Sequence, residues 1–262
     1  MTRVITVSNY KGGVGKSTFT EILSYILATQ HNNKVLVIDL DPQADVSEKL
    51  KRTFSKEDII PKESTLTSMM NNSLEDSIIT LHKNLDLLHG SWEMEQFEEF
   101  IFTTQPKEAR YYFIDNVLEP IKSKYDFVIF DTRPSTGVST NNAICTSDYV
   151  IITTKTEQSS AQSSKKLYSY IGSLIPYNTK LKLIGVLPYL DNPRGSTSSK
   201  IKEELYSEFG LDLYTNIIKS SDRVVTWGKY GLTEHKPHDK KTLKMYQDVT
   251  SETLDRIREL EE

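Results

Sequence analysis

The chain has 262 residues, 37% of them hydrophobic and 26% charged, with a net charge of −4. This balance excludes a disordered or fibrous chain and gives no overall field to draw in nucleic acid. The single cysteine, Cys145, excludes a disulfide framework and a four-thiolate metal site within one chain. No apolar run approaches the roughly 18 residues of a membrane span, and the N-terminus lacks the apolar core of a signal peptide, so a cytoplasmic protein is expected.

Val4–Ser8 reads as a short β-branched strand that ends in a glycine-rich turn. Ser17 to Thr29 follows as a helix, with Phe19, Ile22, Leu23, Ile26 and Leu27 on one stripe. Lys34–Leu40 is a continuous apolar strand of the kind buried on both faces. Leu85–His89, Phe127–Asp131, Tyr149–Thr154 and Lys182–Tyr189 repeat that pattern, with amphipathic stretches such as Ile114–Lys124 between them. Strands alternating with helices predict an α/β fold, a doubly wound, mostly parallel sheet flanked by helices. Residues 50–84 and 91–112 are polar and read as surface helices and loops, and roughly 241–260 as a charged helix. The expected organisation is a single domain over 1–262. Cys145 is expected to be a buried inert thiol, Trp92 and Trp227 to serve packing, and the five histidines show no metal spacing.

Lys11-Gly12-Gly13-Val14-Gly15-Lys16-Ser17-Thr18 follows a strand and opens a helix, the setting of a phosphate-binding loop. Glycines let the backbone curl so that several N–H groups face one anion, and the helix N-terminus adds partial positive charge. In this reading Lys16 reaches the β- and γ-phosphates, the Ser17 hydroxyl ligates Mg²⁺, and Thr18 bonds the α-phosphate. The usual spacing asks for glycine at position 10, which is Tyr10 here, and a second lysine, Lys11, stands beside it. Asp39 and Asp41 end the second strand, where ligands of open α/β sheets bind; either acid is also suited to cap a loop or helix. Asp131 ends an apolar strand, where an acid holds Mg²⁺ through water.

The octet KGGVGKST resembles the deviant Walker A motif of the ParA/MinD group of P-loop ATPases, and the similarity runs nearly end to end. The resemblance implies that Lys11 crosses to the nucleotide of a partner subunit, that Asp41 positions or activates the attacking water, and that Asp39 lies in the Mg²⁺ environment. ATP and Mg²⁺ are the implied cofactors, with Lys11, Lys16 and Asp41 as the catalytic set. Nucleotide contacts are implied at Lys11, Gly12, Gly13, Val14, Gly15, Lys16, Ser17 and Thr18, and near the base at Ile218 and Lys219, where the family's proline is missing. The family's segment after Walker B is matched by Ser135–Asp148, and a family arginine falls at Arg194. Asp131-Thr132-Arg133-Pro134 departs from the family pattern at Arg133, for which three readings stand open, a local ion pair, a contact to phosphate and a contact to a partner chain, with a structural role favoured and no function assigned.

Residues 219–244 hold seven basic against three acidic side chains. In ParA-type proteins a basic surface there binds DNA without sequence preference; here it would use Lys219, Arg223, Lys236, Lys240, Lys241 and Lys244, although a solvated face explains such lysines equally simply. The implied function is an ATP-dependent DNA-segregation ATPase: an ATP-sandwiched homodimer that binds DNA and is released when a centromere-binding, ParB-like protein promotes hydrolysis. A nucleoid-associated, short form without an N-terminal winged-helix domain is expected, since the sequence opens on the first strand. Two alternatives remain. A MinD-like membrane-associated ATPase needs a basic amphipathic C-terminal helix, whereas this tail is acidic. A metabolic ATP-dependent ligase on the same fold needs a small-substrate pocket that no motif marks.

Overall fold

The computed structural model describes residues 1–191 and 196–262; Arg194 lies outside them. In chain order the elements are β1 (Arg3–Ser8), α1 (Lys16–Thr29), β2 (Val35–Asp39), α2 (Asp45–Thr53), α3 (Thr65–Met70), β3 (Ile78–His82), β4 (Leu85–Leu88), α4 (Phe97–Thr104) and α5 (Phe113–Lys122). There follow β5 (Phe127–Asp131), α6 (Val138–Thr146), β6 (Tyr149–Thr154), α7 (Gln158–Leu174), β7 (Lys182–Asp191), α8 (Ser196–Phe209), β8 (Ile218–Lys219), α9 (Asp222–Tyr230) and α10 (Pro237–Glu261).

The strands form one eight-stranded sheet in the order β3-β4-β2-β5-β1-β6-β7-β8. All neighbours run parallel except the β3–β4 pair at one edge. Consecutive residues of the central strands enter opposite cores, as the two-residue period requires. Val35 and Val37 of β2, like Phe127 and Ile129 of β5, pack with Phe19, Ile22, Leu23 and Ile26 of α1. Leu36, Ile38, Val128 and Phe130 pack on the other face with Ile114, Leu118 and Ile121 of α5. The continuous apolar runs are therefore needed because helices cover both faces.

Two strands fall where the sequence predicts none. In β3, Ile79 and Leu81 are buried while Thr80 is exposed, so an antiparallel edge strand hides in a polar stretch. β8 has only two residues, too few for a periodic signal. Trp227 is buried in the core, but Trp92 is 70% exposed, contrary to the expected packing role. Cys145 is buried, and burial pushes its thiol up to about 12.

α10 returns across the sheet and buries Leu243, Tyr246, Val249 and Ile257, with Leu254 and Leu260 packed alongside. Its lower half is fastened by Arg256, whose guanidinium donates to the carbonyls of Ile184 (3.1 Å), Leu211 (3.0 Å) and Leu213 (2.7 Å) and to Glu252 (3.0 Å). The same group lies 4.6 Å from the centre of the Tyr214 ring. Removing it leaves several carbonyls and one carboxylate without their donor. Arg256→Ala is expected to lower the unfolding free energy by about 2–4 kcal/mol, read as a fall in the urea midpoint.

Candidate nucleotide-binding site

The site lies at the carboxyl ends of the central strands. β1 leads into the loop through Asn9, a buried residue whose amide nitrogen donates to the Thr153 carbonyl (2.6 Å) and to Ser164 (3.1 Å). Its Oδ1 accepts from the Lys11 N–H (2.9 Å) and the Ser163 hydroxyl (2.8 Å). The loop is thereby tied to β6 and α7 before its glycines begin. Gly15 has φ of +91°, and a Cβ there would fall inside the ring of Tyr189, so only glycine fits on both counts. Tyr189 is buried, and its hydroxyl pairs with that of Tyr246 at 2.5 Å.

The first turn of α1 carries no acidic residue, which leaves its N-terminal partial charge available to an anion. Lys16 is buried and its ammonium curls back to 3.4 Å from the Lys11 carbonyl. Burial lowers its pKa, and the charges of Asp131 and Asp41 oppose that shift. Ser17 and Thr18 are half-buried and line the same turn.

Register brings the acids together: Asp131 pairs with Val7 on one side and with Asp39 on the other. Both are fully buried. Burial raises Asp131 to about 6, with the Ser17 hydroxyl and the Lys16 ammonium opposing the rise. Thr20 donates to its Oδ1 at 3.4 Å, while Oδ2 has no hydrogen-bond partner among the described residues. A buried carboxylate oxygen left open, beside a serine hydroxyl and beneath an anion-binding loop, suits a Mg²⁺ ion that keeps several waters. Among the described residues no group of three or more His, Cys, Asp or Glu gathers to cage a metal; the side chains that could hold one at this point are Ser17 and Asp131.

Asp39 has a different setting. Its Oδ1 accepts from the Asp41 N–H (3.0 Å), and its Oδ2 from the N–H (3.2 Å) and hydroxyl (2.6 Å) of Ser47 in α2. Burial and then the Asp131 charge drive its pKa well above the ordinary value. Both of its oxygens hold the loop that presents Asp41. Asp41 is half-buried, accepts from the Gln43 N–H at 3.0 Å, and is felt electrostatically by Lys16 and Asp131. Gly90 closes this corner, since a Cβ there would stand 2.7 Å from the Asp39 carboxyl carbon.

The remaining expected residues divide. Lys11 reaches away from the cradle to Glu157 (2.8 Å) and Ser159 (2.6 Å) of its own chain. Ile218 buries its side chain in the core, whereas Lys219 is exposed. Arg223 is bound to buried Asp239 (2.7 Å), and Lys244 pairs with Asp248 (2.7 Å). Lys236, Lys240 and Lys241 present exposed side chains. Arg133 makes an ion pair with Glu95 at 3.3 Å. The sequence alone does not single out Asn9, Tyr189 or Lys49, which also border the loop. The aromatic that ends an apolar strand is the one available signal, for Tyr189.

Beneath the loop, Glu21 of α1 is fully buried; burial raises its carboxyl to about 7, while Lys49, a hydrogen bond from Thr53 and Arg52 oppose the rise. A folded-state pKa above the ordinary 4.5 means a stability contribution that is complete below pH 4.5 and lost as pH rises through about 7. Glu21→Gln is therefore expected to flatten the pH dependence of stability and to gain about 1–3 kcal/mol over the parent at pH 8, measured by urea unfolding between pH 5 and 8.

The family model AAA_31, described as an AAA domain, matches residues 2–183. An uncharacterized protein of Pseudomonas putida is 30% identical over 238 residues, covering 88% of this chain and 86% of that protein. The sporulation initiation inhibitor protein Soj of Bacillus subtilis is 28% identical, covering 86% and 87%. The chromosome partitioning protein ParA of Myxococcus xanthus is 25% identical, covering 87% and 79%. Among solved structures, an ATP complex of a Cyanothece McdA variant superposes with a TM-score of 0.83 at 18% identity, over 97% and 96% of the two chains. Cobyrinic acid a,c-diamide synthase from Mycobacterium smegmatis, with an ATP analog and magnesium, gives 0.79 at 23% identity, over 96% and 93%. These last two likenesses speak to the fold alone. With the loop, the strand-end acids and the sheet order in place, the chain belongs to the AAA_31 family and, within it, to the ParA-type P-loop proteins with a deviant Walker A loop.

Proposed function

We propose that the chain is an ATP-dependent DNA-segregation ATPase acting as a single domain over 1–262. Its cycle would run through a homodimer that encloses two ATP molecules, binds DNA without sequence preference, and lets go when a ParB-like partner promotes hydrolysis. The observation that carries the nucleotide reading is the open, buried Asp131 oxygen beside Ser17, under a glycine loop that leads into an uncapped helix. The relatives named for chromosome partitioning support the choice of cargo class.

Mg-ATP supplies the reacting phosphoryl group and the cation that neutralises its charge. The loop N–H groups and Lys16 would bind the phosphates, and Ser17 with Asp131 would hold the metal. Asp41, half-buried and anchored through Asp39, accepts a proton from the attacking water. Catalysis then rests on positioning and fixed charge. Lys11 has to leave Glu157 before it can reach a partner's phosphates. DNA would meet Lys219, Lys236, Lys240 and Lys241 directly, while Arg223 and Lys244 are already engaged by acids and contribute less. Adenine would meet Lys219 and the backbone at Ile218.

The membrane alternative finds little support. No described helix is long and apolar enough to cross a bilayer, and α10 buries its apolar stripe in the core. A nucleoid-associated protein in the cytoplasm fits these features.

Two measurements test this reading. DNA retention at fixed salt is expected with ATP and lost with ADP or no nucleotide; equal retention in all three rejects the cycle. Lys11→Ala is expected to keep ATP binding and lose the ATP-dependent dimer, read as solution mass by light scattering.

A further inference from the structure

Lys49 lies on α2 and its ammonium stands 3.2 Å from the Thr18 hydroxyl, in the first turn of α1. It is half-buried, with its stem alongside α9, where a Cβ on Gly228 would stand 3.9 Å from Lys49 Cε. The charge is felt by buried Glu21 and by strand-end Asp131. Glu21 itself takes a hydrogen bond from the Thr53 hydroxyl at 3.3 Å. α2 cannot drift, because Ser47 is bonded to Asp39 and to the Gly90 N–H (2.9 Å), and Arg52 donates to the Gly228 carbonyl. A cation is thus held on a fixed helix beside the Thr18 hydroxyl in the first turn of α1.

We propose that Lys49 is a further nucleotide-binding residue, which donates from its ammonium to the α-phosphate next to Thr18. This rests on the nucleotide reading above. Lys16, whose ammonium turns back to the Lys11 carbonyl, serves the terminal phosphates, and Lys49 serves the phosphate at Thr18. Lys49 also lies close enough to Glu21 for its charge to oppose the rise in that carboxyl's pKa.

The test is nucleotide affinity by calorimetry with the full chain in excess Mg²⁺. Lys49→Met is expected to weaken ATP and ADP by the same factor, about tenfold, because both carry the α-phosphate. Lys16→Ala is expected to weaken ATP more than ADP. Lys49→Met is also expected to change the ratio of affinities for the two α-thiophosphate diastereomers of ATP, while Lys49→Arg restores both readouts. If Lys49→Met does not fold with Glu21 left uncompensated, the double variant Glu21→Gln/Lys49→Met replaces it and is compared with Glu21→Gln. Unchanged affinity and an unchanged diastereomer ratio overturn the Lys49 assignment. Failure of the parent chain to bind ATP overturns the nucleotide reading instead, so the two failures are distinguishable.

Discussion

Two carboxylates buried side by side on adjacent strands, Asp39 and Asp131, are the constraint around which this end of the molecule is built. Burying one ionised acid is costly, and burying two in register costs more unless each finds donors. Asp39 meets the cost with three donors from the Asp41–Ser47 turn. Asp131 does not, and retains an oxygen without a hydrogen-bond partner among the described residues. The asymmetry separates their roles: one acid fixes the loop that carries Asp41, and the other stays available to a cation. Sites that keep such unsatisfied groups commonly trade stability for function.

The glycine loop depends on its surroundings in the same way. Asn9 anchors its entrance to β6 and α7, and the Tyr189 ring fills the space behind Gly15. Tyr189 is bonded in turn to Tyr246 of α10, a helix fastened at its other end by Arg256. The C-terminal helix thus supports the phosphate cradle from behind, through packing and one hydroxyl pair. The loop is thus held at its entrance from β6 and α7 and at its back from β7 and α10.

Charge is distributed with less uniformity than composition suggests. The basic stretch over 219–244 does not act as one patch, because Asp239 is buried against Arg223 and Asp248 lies one turn from Lys244. A buried, hydrogen-bonded ion pair serves to hold α9 against the start of α10, and its arginine has little charge left for a ligand. At the loop, Lys11 in its ion pair with Glu157 shows that a lysine's reach matters as much as its place in a motif.

The amino-acid sequence by itself determined the α/β architecture, the phosphate loop and the three strand-end acids, because these depend on local periodicity, glycine spacing and the rule that ligands gather at strand ends. It hid β3 and β8, whose signals are too short or too polar, and it pointed to a packing role for Trp92, which is exposed. Only the tertiary structure decided that Asp39 turns both oxygens into a loop while Asp131 keeps one open, that Arg223 is neutralised, and that Tyr189, Asn9 and Lys49 border the cradle. The partners of Asp39 and Arg223 lie within 16 residues but in the next element, so they depend on how successive elements pack, while partners 100 residues or more apart, such as Asn9 with Thr153 or Thr20 with Asp131, leave no local pattern to read.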